Sequence, residues 1–253
     1  MRRKDILVLG IVGSARKEGN CASLLREVLD RLRDGFDTET VFLSDLDIRP
    51  CEGCHYCQNN GSCRIDDDMP ALSAKLSRAG AVVLATPSYM GGVTSRMRAL
   101  MERTWPLRKG QMAGKIASYI VTGRRRIGIA SAAMAEYFTR LGMIQVPGVL
   151  GYAYEPGEIA GDREAVSQAL RLARDLRRYL ALMEDRRTPT AMHDGRAAPS
   201  LDEPSRAAGP EATGAERAAA PPAQGQGAGG PDAPPPAEPS RRLEAPDEET
   251  ALS

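Results

Sequence analysis

Four cysteines stand within thirteen residues, Cys51, Cys54, Cys57 and Cys63, in the pattern Cys-x2-Cys-x2-Cys-x5-Cys. Thiolates repeated at this short spacing on a looping backbone fan outward around a polynuclear centre, each taking a different iron, as in ferredoxin-type clusters. A zinc site draws four sulfurs onto one ion, usually from two knuckles set further apart. Compactness therefore favours a [4Fe-4S] cluster, with zinc and then redox-active disulfides as the alternatives. Pro50, Gly53 and Gly61 supply the turns that such wrapping needs. His55, between two of the cysteines, is expected to be exposed rather than bound.

A second segment suits an anion. In Gly13-Ser14-Ala15-Arg16-Lys17-Glu18-Gly19-Asn20-Cys21, small residues let several backbone N–H groups converge on one spot. The helix start that follows adds partial positive charge, and Ser14, Arg16 and Asn20 can reach a phosphate. Without Gly-Lys-Ser/Thr it is no Walker loop, and without Gly-x-Gly-x-x-Gly it is no Rossmann dinucleotide loop. Cys21, at the helix start, has two readings: a thiol of lowered pKa, or a tolerated replacement of a hydroxyl residue. In Thr86-Pro87-Ser88-Tyr89-Met90-Gly91-Gly92, Tyr89 can stack on a flat ring and the glycines admit one closely. A third loop, Thr122-Gly123-Arg124-Arg125-Arg126, ends in a charge run that reads first as solvated and second as a contact for a nucleotide phosphate or an acidic ferredoxin. Each loop alone also reads as an ordinary turn; together they describe a mononucleotide site. No general acid, base or nucleophile is assigned.

The elements that position these loops alternate strictly. Asp5–Val12, Thr38–Leu43, Ala81–Ala85, Ile116–Val121 and Val146–Tyr152 read as strands. Between them fall helical stretches. One is capped by Asn20 and carries Leu24, Leu25, Val28, Leu29 and Leu32 on one stripe. Another is opened by Asp66-Asp67-Asp68 and Pro70, the acids favouring the helix dipole. Two more span Thr94–Thr104 and Ile129–Leu141, and Gly142 ends the second. The last, Asp162–Asp185, is predicted to turn Val166, Leu170, Ala173, Leu176, Leu180 and Met183 inward. Apolar strands alternating with helices predict an α/β fold: a flavodoxin-like, doubly wound, five-stranded parallel sheet with helices on both faces. Its ligand site lies beyond the carboxyl ends of the strands. Trp105 falls near that rim, in a packing role.

Composition sets the outer bounds. The 253 residues carry a net charge of +1, which gives no reason to expect nucleic acid as a partner. Residues 188–253 hold 11 acidic and 5 basic residues, 12 of the 18 prolines, and no Val, Ile or aromatic residue. Such a stretch cannot bury enough apolar surface to order its backbone. Residues 1–187 are therefore expected to form one domain, with a cysteine loop at 49–66, and 188–253 a disordered tail. No apolar run approaches the roughly 20 residues of a membrane span, so no membrane partner is expected. The short apolar run after Met1-Arg2-Arg3-Lys4 is interrupted by Asp5, and the cysteines cluster as in a reducing compartment. A cytoplasmic location is expected.

Gly13-Ser14-x-Arg16-x-x-Gly19-Asn20, with Thr86-Pro87-x-Tyr89-x-Gly91, resembles the NADPH-dependent FMN reductase-like branch of the flavodoxin fold. The resemblance runs from residue 5 to about 183 and includes Gly157-Glu158-Ile159. It implies FMN, with Ser14, Arg16, Asn20 and Cys21 on the phosphate and Gly19 in the same loop. Pro87, Ser88, Tyr89, Met90 and Gly91 would line the flavin, and Thr122 and Gly123 close its far side. Two positions depart from that family: Cys21 stands where Thr or Ser is usual, and Arg124-Arg125-Arg126 where glycines are. With all four cysteines added, the chain resembles the iron–sulfur flavoproteins. That resemblance implies FMN and a [4Fe-4S] cluster on Cys51, Cys54, Cys57 and Cys63, in a homodimer or homotetramer. The function expected is an oxidoreductase or electron-transfer protein coupling flavin to cluster, with NAD(P)H, a ferredoxin or a quinone-like small molecule as redox partner. The alternatives are an NAD(P)H-dependent FMN or quinone reductase whose cysteines bind zinc or no metal, and a redox sensor acting through a partner.

Overall fold

A computed structural model describes residues 5–187 of the chain. The expected tail at 188–253 lies outside the described residues. Elements follow in the order β1 (Leu7–Val12), α1 (Asn20–Asp30), β2 (Asp37–Phe42), α2 (Tyr56–Asn60), α3 (Met69–Arg78), β3 (Ala81–Pro87) and α4 (Ser95–Arg103). Then come β4 (Ile116–Gly123), α5 (Gly128–Arg140), β5 (Ile144–Gln145), β6 (Val149–Tyr152) and α6 (Arg163–Arg187). Every strand pairing is parallel, and the order across the sheet is β2-β1-β3-β4, with β5 and β6 both pairing β4 at the far edge. This is the flavodoxin-like order, whose switch point lies between β1 and β3.

All six residues of β1 are buried, because helices cover both faces of the sheet. Strand periodicity sends Val8 and Val12 to one core and Leu7, Leu9 and Ile11 to the other. The first core takes Leu24, Leu25, Val28, Leu29 and Leu32, as their spacing predicts. The second takes Leu72, Leu76, Met97, Leu100, Met134 and Phe138 from α3, α4 and α5. Leu170, expected inward, is half-buried on the flank of α6 instead. The stripe rotates onto Ala165, Ala169, Leu172, Ala173, Leu176 and Leu180, because α6 passes close over β6. A Cβ added to Gly151 would come within 3.3 Å of the Ala165 Cβ.

The fifth strand is broken rather than continuous. Pro147 offers no N–H to the ladder, and Gly148 lies under the Tyr119 ring, where a Cβ would sit 2.3 Å from a ring carbon. The Ser118 hydroxyl, 3.4 and 3.3 Å from the Val146 and Pro147 carbonyls, serves the freed acceptors. Among the described residues no helix is long and apolar enough to cross a membrane.

Candidate functional site

A cleft of about 700 Å³ opens at the carboxyl ends of β1, β3, β4 and β6. Ser14, Arg16, Gly19, Asn20 and Cys21 line one wall, Pro87, Ser88, Tyr89, Met90 and Gly91 another, and Thr122 and Gly123 its back. Hydrogen bonds lace these loops together. Thr94 Oγ1 donates to the Gly13 carbonyl (2.8 Å), and Ser88 N–H donates to the Thr122 carbonyl (2.8 Å). At the outer lip, Tyr89 and Gly92 exchange two backbone bonds of 3.0 Å, and the turn between them places Met90 and Gly91 at positive φ. Tyr89 is exposed there, and Met90 fully so.

The anion cradle differs from expectation at Asn20. Asn20 does not cap α1; the N-cap is Gly19, which has no side chain to occupy the first-turn N–H groups. The Asn20 amide instead reaches across the cleft wall. Its Nδ2 donates to the Glu155 carbonyl (2.9 Å), and its Oδ1 accepts from Gly157 N–H (3.0 Å) and Ile159 N–H (3.4 Å). Asn20 thus holds the loop after β6, and most of its capacity is spent there. Of the two readings of Cys21, the structure disfavours the reactive thiol. Burial pushes its thiol up to about 12, against the opposing pull of the Ala22 and Cys21 N–H groups and the Thr122 and Ser14 side chains. It is no low-pKa thiol. Ser14, also buried, accepts from Arg16 N–H (3.0 Å) and so shapes the turn. What remains for an anion is the uncapped helix start with the exposed Arg16 beside it.

The cysteine loop leaves the same carboxyl edge, from the end of β2. Gly53, His55 and Gly61 all take positive φ, at 65°, 57° and 68°, and one short helix, α2, forms inside the loop. Gly53 N–H donates to Cys51 Sγ (3.4 Å). Cys51 and Cys54 are exposed, Cys57 and Cys63 half-buried, and all four are free thiols. Partial burial raises the Cys57 pKa, and charge on Cys63, Cys51 and Cys54 adds to the rise. Yet among the described residues no three His, Cys, Asp or Glu side chains converge tightly enough to hold one ion. Four thiols on one short loop are a donor set suited to soft-metal ligation. His55 is exposed as expected, its Nδ1 2.9 Å from Gln58 Nε2.

The sequence profile of the NADPH-dependent FMN reductase family matches residues 6–155. The chain belongs to that family. Among relatives, it is 39% identical over 123 residues to an iron–sulfur flavoprotein of Methanocaldococcus jannaschii, covering 48% of this chain and 64% of that protein. It is 33% identical over 166 residues to an iron–sulfur flavoprotein of Archaeoglobus fulgidus, covering 62% and 72%. The chain therefore spans less than two thirds of the first of these. Among solved structures, the Trp repressor binding protein of Bacillus subtilis superposes with a TM-score of 0.51 at 25% identity, over 65% of this chain and 99% of that one.

This member of the FMN reductase family brings further residues to the cleft. Arg124, Arg125 and Arg126 are exposed, yet they line the mouth of the cleft, with the Arg124 guanidinium 5.8 Å from the Tyr154 ring. Ile129 and the loop Ala153–Pro156 complete the lining. That loop follows a strand at the same edge as the others, and its position alone could have flagged it. Trp105 lies away from the cleft, stacked under the Arg108 guanidinium at 3.8 Å and beside Cys57.

A buried ion pair closes the cysteine loop. Arg103 on α4 and Asp67 both have side chains with 0% exposure, joined by bonds of 2.5 and 3.0 Å. Arg103 Nη1 also donates to the Arg49 carbonyl (2.7 Å), and Asp67 accepts from Arg49 N–H (3.1 Å) and Met69 N–H (3.0 Å). Asp68 accepts from Asp47 N–H (2.8 Å). The acidic run read as a helix opener is thus the clasp of the loop. Burial works against the Asp67 carboxylate, but Arg103 and the two N–H donors outweigh it and hold its pKa below 3.8. Arg103 lies in inward register with Met97 and Leu100, a charge on an apolar stripe that was a legible signal.

Proposed function

We propose that the chain is an FMN-dependent oxidoreductase of the cytoplasm that couples a flavin to a [4Fe-4S] cluster. One observation carries the reading: three loops converge on a single cleft at an uncapped helix start, and a four-thiol loop leaves the same sheet edge. A cleft of about 700 Å³ suits a mononucleotide. The α1 start and Arg16 would hold the phosphate, Tyr89 and the Met90–Gly91 turn would cover the ring, and Thr122 and Gly123 would back it. Cys51, Cys54, Cys57 and Cys63 would hold the cluster. FMN supplies two-electron or stepwise redox chemistry when bound, and the cluster one-electron transfer. Membership of the FMN reductase family and relatives named iron–sulfur flavoproteins support both assignments. Exposed Tyr89, Met90, Ile129, Tyr152 and Tyr154 around the mouth favour a homodimer or homotetramer that covers them.

A second reading is an NAD(P)H-dependent FMN or quinone reductase whose cysteines bind zinc or no metal. Arg124, Arg125 and Arg126 at the cleft mouth favour it, since guanidinium groups suit dinucleotide phosphates. Protein purified without oxygen, assayed together for FMN, iron, sulfide and zinc, separates the two. The first reading expects flavin absorption over a broad thiolate-to-iron band, with iron and sulfide at equal stoichiometry. Cys54→Ser should abolish that band while leaving FMN bound. Flavin with zinc, or with no metal, would overturn the cluster.

A further inference from the structure

We propose that Arg103 is the positioning residue of the cysteine centre, holding both ends of its loop and presenting a buried positive charge and a spare donor to the Cys63 side. The proposal rests on reading the loop as a cluster site. Three observations support it. The guanidinium is wholly buried, and both terminal nitrogens are spent on the ends of the loop, on the Arg49 carbonyl and the Asp67 carboxylate. Its Nε–H, by contrast, is the one buried side-chain polar atom without a hydrogen-bond partner among the described residues. Finally, Cys63 lies four residues before Asp67, at the end of the loop that this guanidinium clasps.

A buried ion pair is a weak stabiliser, since apolar residues of similar volume often do as well. A buried donor left unpaired adds a cost with no structural return. Both are explained if the centre itself completes the arrangement. Cluster ligation places negative charge on sulfur, and hydrogen bonds and charge near those sulfurs set the reduction potential. Groups behind the ligands typically govern metal affinity by 10- to 100-fold. Arg103 is placed to do both. Asp67 neutralises the guanidinium and so keeps it ionised in the interior, while Nε–H stays free for sulfur.

The test uses the full chain, loaded without oxygen, as native protein, Arg103→Lys and Arg103→Gln. Lys keeps the charge but lacks the forked donors; Gln lacks both. Loss of iron to a chelator and the cluster midpoint potential are measured, with far-ultraviolet circular dichroism verifying the fold. We expect chelator release to quicken about tenfold or more in Arg103→Gln, with a lower midpoint potential and Arg103→Lys between the two. A purely structural role would change retention but leave the potential of the loaded fraction alone. If Arg103→Gln cannot be loaded, Arg103→Lys decides: a lower potential supports the proposal. Native potential and retention in either variant overturn it. Native chain that takes up no iron and sulfide overturns the cluster reading first, and this proposal with it.

Discussion

At the residue scale, the same thiol meets opposite surroundings in one chain. Cys21 is buried in the first turn of α1, whereas Cys51 and Cys54 stand exposed. Reactivity belongs to the thiolate. With its pKa pushed from 9.0 to about 12, Cys21 carries about a thousandfold less thiolate at pH 8 than an ordinary thiol. Brief iodoacetamide treatment of the metal-free chain at pH 8 should therefore modify loop cysteines and spare Cys21, as peptide mass spectrometry would read. Modification of Cys21 at the loop's rate would contradict its burial. The type and spacing of residues identified the lining of the cleft well, because a loop between buried strands can only emerge at the rim. They misread what Asn20 does there, because a side chain's partner is chosen by distant chain. The Asn20 amide bonds to a loop 135 residues away.

At the element scale, that one side chain hydrogen-bonds the loop after β6 to α1, where Ile159 also packs in the core. Glu158 supports it locally, accepting from Tyr154 N–H (2.8 Å) and Glu155 N–H (3.0 Å). Asn20→Ala removes one donor and one doubly used acceptor together. We expect a loss of about 1–3 kcal/mol in urea unfolding. Hydrogen exchange should quicken across residues 153–159, with β1 and β3 unchanged. Native exchange in that segment would show that Glu158 alone suffices. Element boundaries were largely legible, since β1, β3 and β4 are apolar runs covered on both faces. Two features were not. The fifth strand breaks because Pro147 and Gly148 sit against the Tyr119 ring of its neighbour, a contact with no trace in local pattern. The stripe of α6 rotates so that Ala165 meets Gly151 of β6, where the two elements pass close.

For the whole molecule, buried titratable groups bound the pH range of stability from both sides. The Asp67 pKa is depressed in the folded state, so its contribution is present above 3.8 and lost as pH falls through the folded value. Asp34, Glu158 and Glu164 are shifted the same way but lie in water, where screening leaves them little weight. On the alkaline side, burial raises Cys21 from 9.0 and Tyr137 from 10.0, each to about 12. Their contributions are complete below the unfolded values and are lost as pH rises toward the folded ones. Urea midpoints should therefore be level from about pH 5 to 8 and fall on either side. Cys21→Ser, which does not titrate, should reduce the loss between pH 8 and 10 by about 1 kcal/mol. An unaltered alkaline slope in that variant would mean the thiol is not sealed.

The order of elements, the two helical layers, the rim on which a ligand cleft opens and the four-thiol motif all followed from the sequence alone. Each rests on periodicity or spacing, which are local properties. Tertiary structure alone decided that Asp67 and Arg103 clasp the cysteine loop and that Asn20 ties down the loop after β6. These depend on which side chains meet after the sheet has brought distant segments together. A buried charge must find its counter-charge wherever the fold supplies one, and no local pattern names that partner.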